Sequence, residues 1–351
     1  MVQPGDGLAL RSRPTVGYVA LGGTIASVPS EAPGAQPGVQ PTLTAADLAA
    51  GVPGLEAVAV LEAHTFRTIP SSAITLRDLI ELVPVLLRVV EGGAAGVVVS
   101  QGTDTIEEVA FVLDLLWDRP EPVVVTGAMR NPSMAGPDGP ANLLASVQVA
   151  AEPDARDCGV LVCLNDEIHA ARFVHKSHTC SPSTFHSPGL GPLGWVAEGR
   201  PVIALRPTRR AHVQLDWSVA LPRVPIVTLG LGADAVLLEA LCDLECDGVV
   251  IEGMGGGHVP AGLLPAVGDL LERVPVVLTS RTGSGEVLAT TYGYPGGEID
   301  LLDRGVIRAG ALDSLKARLL LVLAMASGCD RPATRDLFAL VGTTTGPVAK
   351  A

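Results

Sequence analysis

The sequence predicts an α/β fold divided into two α/β domains, and three observations support this prediction. The chain has 351 residues, more than one domain of about 100–150 residues requires. Short valine-rich runs alternate with longer segments of helical periodicity, which is typical of βαβ units. Residues 97–99 and 123–125 are valine at every position, as expected for parallel strands that are covered on both faces.

The individual elements follow from these two patterns. Short apolar runs between turn residues predict strands at Val16–Leu21, Ala57–Leu61, Gly96–Ser100, Pro122–Thr126, Gly159–Leu164, Pro225–Gly230, Gly248–Ile251 and Val274–Ser280. Apolar residues at spacings of three and four predict helices at Thr75–Val90, Ile106–Trp117, Ala141–Ala151, Ala233–Leu244, Ala261–Leu271 and Leu312–Ala326. Thr105 and Glu108 predict a capping box at the start of the second helix.

Composition predicts where the domains divide. Prolines and arginines interrupt the segment 203–224, which shows no sustained periodicity. Residues 205–224 are therefore interpreted as a linker between an N-terminal domain, residues 1–204, and a C-terminal domain, residues 225–351. A proline- and glycine-rich segment, residues 29–42, follows the first strand and suits a mobile lid.

Charge and hydropathy exclude several classes of protein. A net charge of −13 argues against a nucleic-acid partner, because phosphate neutralisation needs clustered lysine and arginine. Mean hydropathy is +0.40, yet no apolar run approaches the roughly 18–20 residues of a membrane span. The six cysteines include no Cys-x-x-Cys pair, and residues 1–15 lack the apolar core of a signal peptide. We therefore expect a cytoplasmic enzyme with no membrane partner.

Polar residues follow the predicted strands at the points where chemistry is expected. Thr24 follows the first strand, and Thr103 and Asp104 follow the third. Ligands of open parallel sheets bind beyond the carboxyl ends of the strands, so these side chains converge if the strands are neighbours. A threonine hydroxyl becomes a nucleophile only beside a base or a charged network, which Lys176 could complete. Gly22–Gly23 as a plain turn and Lys176 as an exposed loop residue remain open alternatives.

Two further segments contain residue types that are common in cofactor sites. Four histidines and Cys180 lie within residues 169–186, but their spacing matches no standard zinc pattern. The glycine-rich run 253–258 lacks the Gly-Lys-Ser/Thr ending of a phosphate loop. The sequence therefore predicts neither a metal nor a nucleotide site.

The motifs together resemble the bacterial-type L-asparaginase/glutaminase family, from about residue 15 to about residue 328. Residues 22–26, GGTIA, look like the first active-site signature of that family, and residues 101–108, QGTDTIEE, look like the second. Residues 125–130 and 138–143 match it in the same order. The resemblance implies a larger N-terminal domain with a parallel or mixed sheet flanked by helices, and a smaller, Rossmann-like C-terminal domain.

The resemblance also implies an activity, the hydrolysis of the side-chain amide of L-asparagine to L-aspartate and ammonia without a cofactor. Thr24 matches the nucleophile that forms a β-aspartyl ester. Thr103, Asp104 and Lys176 match the group that activates the hydroxyl or the attacking water, and Asp104 would also pair with the substrate's α-ammonium.

Substrate binding and assembly are implied in the same way. Ala128 would offer its backbone carbonyl to the leaving amide nitrogen. Glu298 matches a glutamate that reaches the active site of a neighbouring subunit, as in a homodimer or homotetramer. The expected partners are therefore a small amino-acid amide and further copies of this chain.

Two departures from the family pattern concern the activation of the nucleophilic threonine and the binding of the substrate. The family carries a tyrosine on the loop after the first motif, whereas residues 27–44 contain none. Tyr292 or Tyr294 is the hypothesised source of that phenol, unless the enzyme works without it. The family's serine for the substrate α-carboxylate falls near residues 64–68, where Thr65 is its expected replacement and Arg67 offers a bidentate carboxylate contact.

These departures keep other functions open. One is an amidohydrolase of the same mechanism that acts on another small amide, such as glutamine or D-asparagine. Another is a non-catalytic amino-acid-binding protein with this fold. A tRNA amidotransferase subunit shares the motifs, but the negative charge of the chain argues against it.

Overall fold

The structure, a computed structural model, describes residues 13–29, 38–207, 211–216 and 218–343. Within these ranges the chain forms an eight-stranded sheet, a separate four-stranded sheet and two small two-stranded sheets. Helices pack against both of the larger sheets. The predicted α/β class, with a larger N-terminal and a smaller C-terminal domain, is confirmed.

Most predicted elements fall within a few residues of the observed ones. The strands are β1 (Thr15–Gly22), β2 (Ser27–Pro29), β3 (Val39–Pro41), β4 (Val60–Ile69), β5 (Gly96–Ser100), β6 (Val123–Thr126), β7 (Val160–Leu164), β8 (Glu167–Ala170), β9 (His175–Lys176), β10 (Phe185–His186), β11 (Gly194–Ala197), β12 (Arg200–Ile203), β13 (Ile226–Thr228), β14 (Val249–Gly253), β15 (Val276–Ser280) and β16 (Ile307–Arg308). The helices are α1 (Ala45–Ala50), α2 (Leu55–Val58), α3 (Leu76–Glu91), α4 (Ile106–Leu116), α5 (Gly139–Ala151), α6 (Val236–Asp243), α7 (Leu264–Arg273), α8 (Glu298–Asp303), α9 (Ser314–Ala326) and α10 (Arg331–Gly342).

The large sheet places the expected strand ends side by side. Its strand order is β12-β11-β8-β7-β6-β5-β1-β4. Strands β4, β1, β5, β6 and β7 are parallel neighbours, and β8, β11 and β12 extend the sheet antiparallel. Val99 pairs with Val19 on one side and with Val125 on the other. The carboxyl ends of β1, β5 and β6 therefore lie at one edge of the sheet.

The bounds predicted for the second strand, Ala57–Leu61, are wrong, because the observed strand begins and ends later in the chain. Residues Leu55–Val58 form α2, and β4 begins at Val60 and continues to Ile69. Strand β4 lies at the end of the sheet, and most of its side chains are exposed or only partly buried. An edge strand of this kind lacks the continuous apolar run that marks the central strands, so the sequence pattern does not show its full length.

The valine runs fill cores on both faces of the large sheet. Val97 and Val99 lie in a core that also contains Val250 and Leu320 of the C-terminal domain. Val98 lies in the core on the opposite face, as the alternation of a strand requires. Because the first core is shared by both domains, α9 packs against α4 as well as against β14.

The predicted helix after the third strand is present, but its predicted capping box is wrong. Helix α4 begins at Ile106, and the Thr105 side chain makes no capping hydrogen bond. The Thr105 hydroxyl instead donates to the carbonyl of Ser71 at 3.3 Å and accepts from Nε2 of Gln101 at 3.2 Å. A short 3-10 turn, Thr103–Thr105, precedes α4 and turns the Thr105 side chain away from the helix.

The predicted linker and lid fall partly outside the described residues. The large sheet ends at Ile203 and the smaller sheet begins at Ile226, and the predicted linker, 205–224, includes residues 208–210 and 217, which are not described. The predicted lid, 29–42, includes residues 30–37, which are also not described. Among the helices that the structure describes, none combines the length and apolar character needed to cross a membrane.

Candidate active site

The end of β1 contacts the end of β5 through backbone. Gly23 has a φ of +78°, and a Cβ at this position would lie 1.9 Å from the backbone nitrogen of Gly102. Its N–H donates to the carbonyl of Ile69 at 3.0 Å. Only glycine fits such a contact, so Gly23 is more than a plain turn residue. The contact brings Thr24, which is partly buried, to the turn that carries Thr103 and Asp104.

Lys176 joins this cluster from a separate hairpin. Its Nζ donates to Oγ1 of Thr103 at 3.0 Å and to Oδ1 of Asp104 at 2.7 Å. The strand that carries it, β9, pairs with β10 so that Lys176 lies opposite Phe185. The Lys176 side chain is 13% exposed, so it is not the exposed loop residue of the alternative interpretation. The structure therefore brings together Thr103, Asp104 and Lys176.

Asp104 presents its carboxylate to solvent while both of its oxygens are bound. The Asp104 side chain is 67% exposed, and its Oδ2 accepts a hydrogen bond from Oγ of Ser71 at 2.9 Å. The hydrogen bond from Lys176, followed by that from Ser71, holds the pKa of the Asp104 carboxyl below its usual range. Asp104 is therefore an anion that can receive an incoming cation from the open side of the site.

Ser71, rather than Thr65, occupies the position beside Asp104. The Thr65 hydroxyl accepts a hydrogen bond from the N–H of Ala45 at 2.9 Å, and so supports the start of α1. Arg67 is bound to helix α3, where it contacts Asp78 at 3.2 Å and Glu81 at 2.8 Å. The contacts of Thr65 and Arg67 give no support to their expected roles in binding substrate.

The loop after β6 is fixed by two residues that the sequence analysis did not assign. Ala128 is fully buried, and the buried Asn142 donates from Nδ2 to the carbonyl of Gly127 at 3.0 Å. The carboxylate of Asp138 accepts from the N–H groups of Met129 and Arg130, at 3.0 and 2.8 Å. Asp138 and Asn142 lie in the matched segment 138–143, which was the available signal. They hold the backbone of the loop that contains Ala128.

Glu298 lies in a separate cluster in the C-terminal domain. Its buried carboxylate accepts from the N–H groups of Thr291 and Tyr292, both at 2.7 Å. Burial tends to raise the pKa of a carboxyl group, but these backbone donors and His258 hold the pKa of Glu298 below its usual range. Its Oε2 lies 3.3 Å from Nε2 of His258, and the Tyr294 hydroxyl lies 3.1 Å from Nδ1 of the same ring.

The three tyrosines have different surroundings. Tyr292 and Tyr294 are exposed, and the rings of both pack edge-on against His258. Tyr18 is fully buried, and its hydroxyl hydrogen-bonds Oγ of Ser100 at 2.8 Å. Burial raises the pKa of Tyr18, so this phenol is unsuited to proton transfer at neutral pH.

Both the sequence and the fold are similar to those of a known family. The model described as "Asparaginase, N-terminal" matches residues 15–209, and that described as "Glutaminase/Asparaginase C-terminal domain" matches residues 223–338. An L-asparaginase from Bacillus licheniformis is 37% identical over 261 residues, which are 74% of this chain and 80% of that protein. A probable L-asparaginase from Deinococcus radiodurans is 37% identical over 335 residues, which are 93% of this chain and 98% of that protein.

A solved structure agrees with these matches. The crystal structure of a probable cytoplasmic L-asparaginase from Campylobacter jejuni superposes with a TM-score of 0.81 at 28% sequence identity, over 93% of this chain and 99% of that chain. The family models together extend over most of the chain, and the fold agrees over nearly all of it. The chain therefore belongs to the asparaginase family of amidohydrolases.

Proposed function

We propose that the protein hydrolyses the side-chain amide of L-asparagine to L-aspartate and ammonia, with Thr24 as the nucleophile of a threonine acyl-enzyme. One observation carries the proposal: Nζ of Lys176 lies within hydrogen-bond distance of both Thr103 and Asp104, on the turn that contacts Gly23 next to Thr24. These contacts support the proposal of a hydroxyl nucleophile, a charged network and an anion for an amino group at one sheet edge.

The proposed reaction has two covalent steps. In the first, Oγ1 of Thr24 bonds to the amide carbon, and ammonia leaves with the proton that the hydroxyl loses. In the second, water attacks the ester, aspartate leaves, and Thr24 regains its proton. The Lys176 ammonium stabilises negative charge on the Thr103 oxygen, so Thr103 can give a proton to the leaving group or take one from the attacking water.

Three residues are proposed to bind the substrate around these atoms. The Asp104 carboxylate pairs with the α-ammonium, because it is ionised and largely exposed. Ser71, rather than Thr65, binds the substrate α-carboxylate, because its hydroxyl donates a hydrogen bond to Asp104 and so lies beside the proposed ammonium site. The carbonyl of Ala128 accepts from the amide nitrogen, on a loop that Asn142 and Asp138 hold in place.

Ammonia release tests this function directly. We expect wild-type protein to release ammonia from L-asparagine and Thr24→Ala to release none while keeping its fold by circular dichroism. Thr75→Ala is the matched control, because Thr75 caps helix α3 and its loss costs about 1 kcal/mol of stability without touching the site. A fully active Thr24→Ala variant would exclude the acyl-enzyme.

The side-chain length and configuration of the substrate need a separate measurement. The C-terminal family model is shared by glutaminases and asparaginases, so L-glutamine and D-asparagine belong in the same assay. The amide with the highest kcat/KM identifies the substrate class. Calorimetric binding of aspartate by wild-type protein that releases no ammonia from any of these amides would instead identify a non-catalytic amino-acid-binding protein.

We further propose a cytoplasmic homodimer or homotetramer. A shared site, in which Glu298 approaches the substrate of a neighbouring subunit, requires an oligomer at working concentration. Sedimentation equilibrium at micromolar concentration measures this state. A strict monomer with full activity would exclude the shared site, and cell fractionation of the native organism tests the compartment.

A further inference from the structure

A buried lysine of the C-terminal domain lies close to the proposed active site. The chain has 24 lysine and arginine residues, of which only three are lysine, at positions 176, 316 and 350. Lys316 lies on α9 and is 2% exposed. Burying an ammonium costs several kcal/mol unless it is paired and hydrogen-bonded. The contacts of Lys316 therefore identify the groups that compensate its buried charge.

Those contacts reach the strand that carries Lys176. Nζ of Lys316 donates to the carbonyl of Val174 at 2.6 Å and to Oδ2 of Asp313 at 2.9 Å. Val174 directly precedes β9, whose two residues are His175 and Lys176. A residue of one domain thus fixes the backbone of the other, two positions before Lys176.

His175 adds a second attachment, to helix α4. Its Nδ1 lies 2.8 Å from Oε2 of Glu107, and Nζ of Lys316 lies 3.7 Å from the same oxygen. The hydrogen bond to Glu107 is the main cause that raises the pKa of His175. Glu107 is buried in the first turn of α4, three residues after Asp104. The first turn of α4 thus contacts His175, and the 3-10 turn that directly precedes α4 contacts Lys176.

We infer that Lys316 is a positioning residue, which holds β9 against α4 so that Lys176 stays on Thr103 and Asp104. Lys176 has two contacts with the turn that precedes α4. Lys316 and Glu107 hold β9 and α4 together next to those contacts. The catalytic part of this inference depends on the proposed function. The geometric part, the placement of Lys176, does not.

The cluster is better explained as an anchor than as a metal site. Glu107, His175 and Asp313 place one potential ligand atom each within 4.8 Å of one another. The Lys316 ammonium lies among these groups, 2.9 Å from Asp313, and supplies the positive charge that they require. An ammonium offers three diverging donors from a compact centre, whereas a guanidinium is planar, so an arginine does not reproduce this set of contacts.

A cavity beside Lys316 allows the missing amine to be supplied from solution. It has a volume of about 280 Å³ and is lined by Lys316, His175 and Asp313 together with the loop 282–287. Replacing Lys316 with alanine joins further space to this cavity. Ethylamine, a small primary amine, is then expected to enter and to restore the bond to the Val174 carbonyl.

The placement of Lys176 can be measured without any substrate. Because the chain has so few lysines, acetylation by an N-hydroxysuccinimide ester can be followed at Lys176 by mass spectrometry. The experiment compares wild-type protein with Lys316→Met, which keeps most of the length of the side chain but not the ammonium, and with Lys316→Ala. The control is Leu320→Ala, a fully buried position on the same helix that should lower stability without moving β9. Ammonia release from L-asparagine is measured in parallel.

We expect Lys176 in Lys316→Met to be acetylated at least threefold faster than in wild-type protein or in Leu320→Ala. We also expect its kcat to fall at least tenfold with a smaller change in KM, and ethylamine to restore part of the kcat of Lys316→Ala. An unchanged rate of acetylation in a folded Lys316 variant would overturn the inference, as would equal effects in Leu320→Ala. If Lys316→Met does not fold, the acetylation rate of Lys176 in Lys316→Ala, measured without ethylamine because that amine would consume the ester, decides in the same way. Absence of ammonia release by wild-type protein would count against the proposed function alone.

Discussion

Lys176 and Asp104 form an ion pair at 2.7 Å although they are 72 residues apart in the chain. The two partners differ in exposure, since the Lys176 side chain is 13% exposed and that of Asp104 is 67% exposed. The largely buried ammonium of Lys176 keeps the Asp104 carboxylate ionised, and the other side of this carboxylate remains accessible from solvent. This asymmetry suits a site in which a substrate amino group approaches Asp104 from solvent.

The pH dependence of this pair follows from the direction of the pKa shift. The native pKa of Asp104 lies below its usual value, which is about 3.9 in an unfolded chain. The pair therefore contributes to the free energy of unfolding above about pH 4, and the contribution is lost as the pH falls through the native pKa. A double-mutant cycle of Lys176→Met and Asp104→Asn measures it by urea unfolding.

We expect a coupling energy of about 0.5–1 kcal/mol at pH 7, because Asp104 is largely exposed and solvent screens the pair. We expect a smaller value at about pH 3, because the coupling declines as the pH falls from the unfolded pKa towards the native pKa. A coupling energy that is equal at both pH values would mean that the interaction does not depend on the charge of Asp104.

Ser71 and Thr65 are expected to separate substrate binding from stability. Ser71→Ala removes the hydrogen bond to Asp104 and should lower kcat/KM for the amide by about tenfold or more, an effect of at least 1.4 kcal/mol. Thr65→Val removes the acceptor of the Ala45 N–H and should cost about 1 kcal/mol of stability with kcat/KM unchanged. Steady-state kinetics and urea unfolding of both variants check this. A larger decrease of kcat/KM in Thr65→Val than in Ser71→Ala would show that Thr65, and not Ser71, binds the substrate.

The sequence predicts the central sheet well because its signal is local. Val97, Val98 and Val99 are buried on both faces of the sheet, so every position in that strand is apolar. The expected adjacency of β1, β5 and β6 is confirmed as well. Once these strands are neighbours, Thr103 and Asp104 must lie near Thr24.

The sequence predicts less where placement depends on distant contacts. Strand β4 is longer than predicted, because its side chains are largely exposed and form no continuous apolar run. Lys316 looks like an ordinary residue of an apolar helix, and its role depends on Val174, which lies 142 residues away. The capping box predicted at Thr105 is absent because the Thr105 hydroxyl hydrogen-bonds the carbonyl of Ser71, a contact that the local sequence pattern does not show.

Gly23 is expected to tolerate no side chain. Gly23→Ala would place a Cβ 1.9 Å from the Gly102 nitrogen, so the two active-site turns would have to separate. Gly54→Ala is the matched control, because Gly54 also has a positive φ, +81°, with nothing within 4 Å of a Cβ. The control should lower the free energy of unfolding by about 1–2 kcal/mol. Gly23→Ala should lower it by at least twice as much and should also abolish ammonia release. Equal changes in Tm would show that backbone conformation alone requires glycine at position 23.

Tyr294 is expected to supply the phenol that the loop after the first motif lacks. The buried Glu298 lies 3.3 Å from Nε2 of His258, and Nδ1 of that ring lies 3.1 Å from the Tyr294 hydroxyl. The contact with Nδ1 of His258 orients the Tyr294 hydroxyl. Tyr294→Phe should therefore lower kcat by about tenfold or more, whereas Tyr292→Phe, which removes only an exposed hydroxyl beside the same ring, should lower it less than threefold.

If Tyr294 acts at the site of a neighbouring subunit, complementary variants should restore one another. Thr24→Ala subunits are expected to be inactive and Tyr294→Phe subunits to keep about a tenth of the activity or less, but a mixed dimer contains one site with both Thr24 and Tyr294. Random pairing of co-expressed subunits should therefore recover about a quarter of the wild-type activity in a two-fold symmetric dimer. Activity no greater than that of the separate variants would exclude a shared site. Wild-type kcat values in both Tyr292→Phe and Tyr294→Phe would show that neither phenol assists Thr24, and that the enzyme works without a tyrosine at this step.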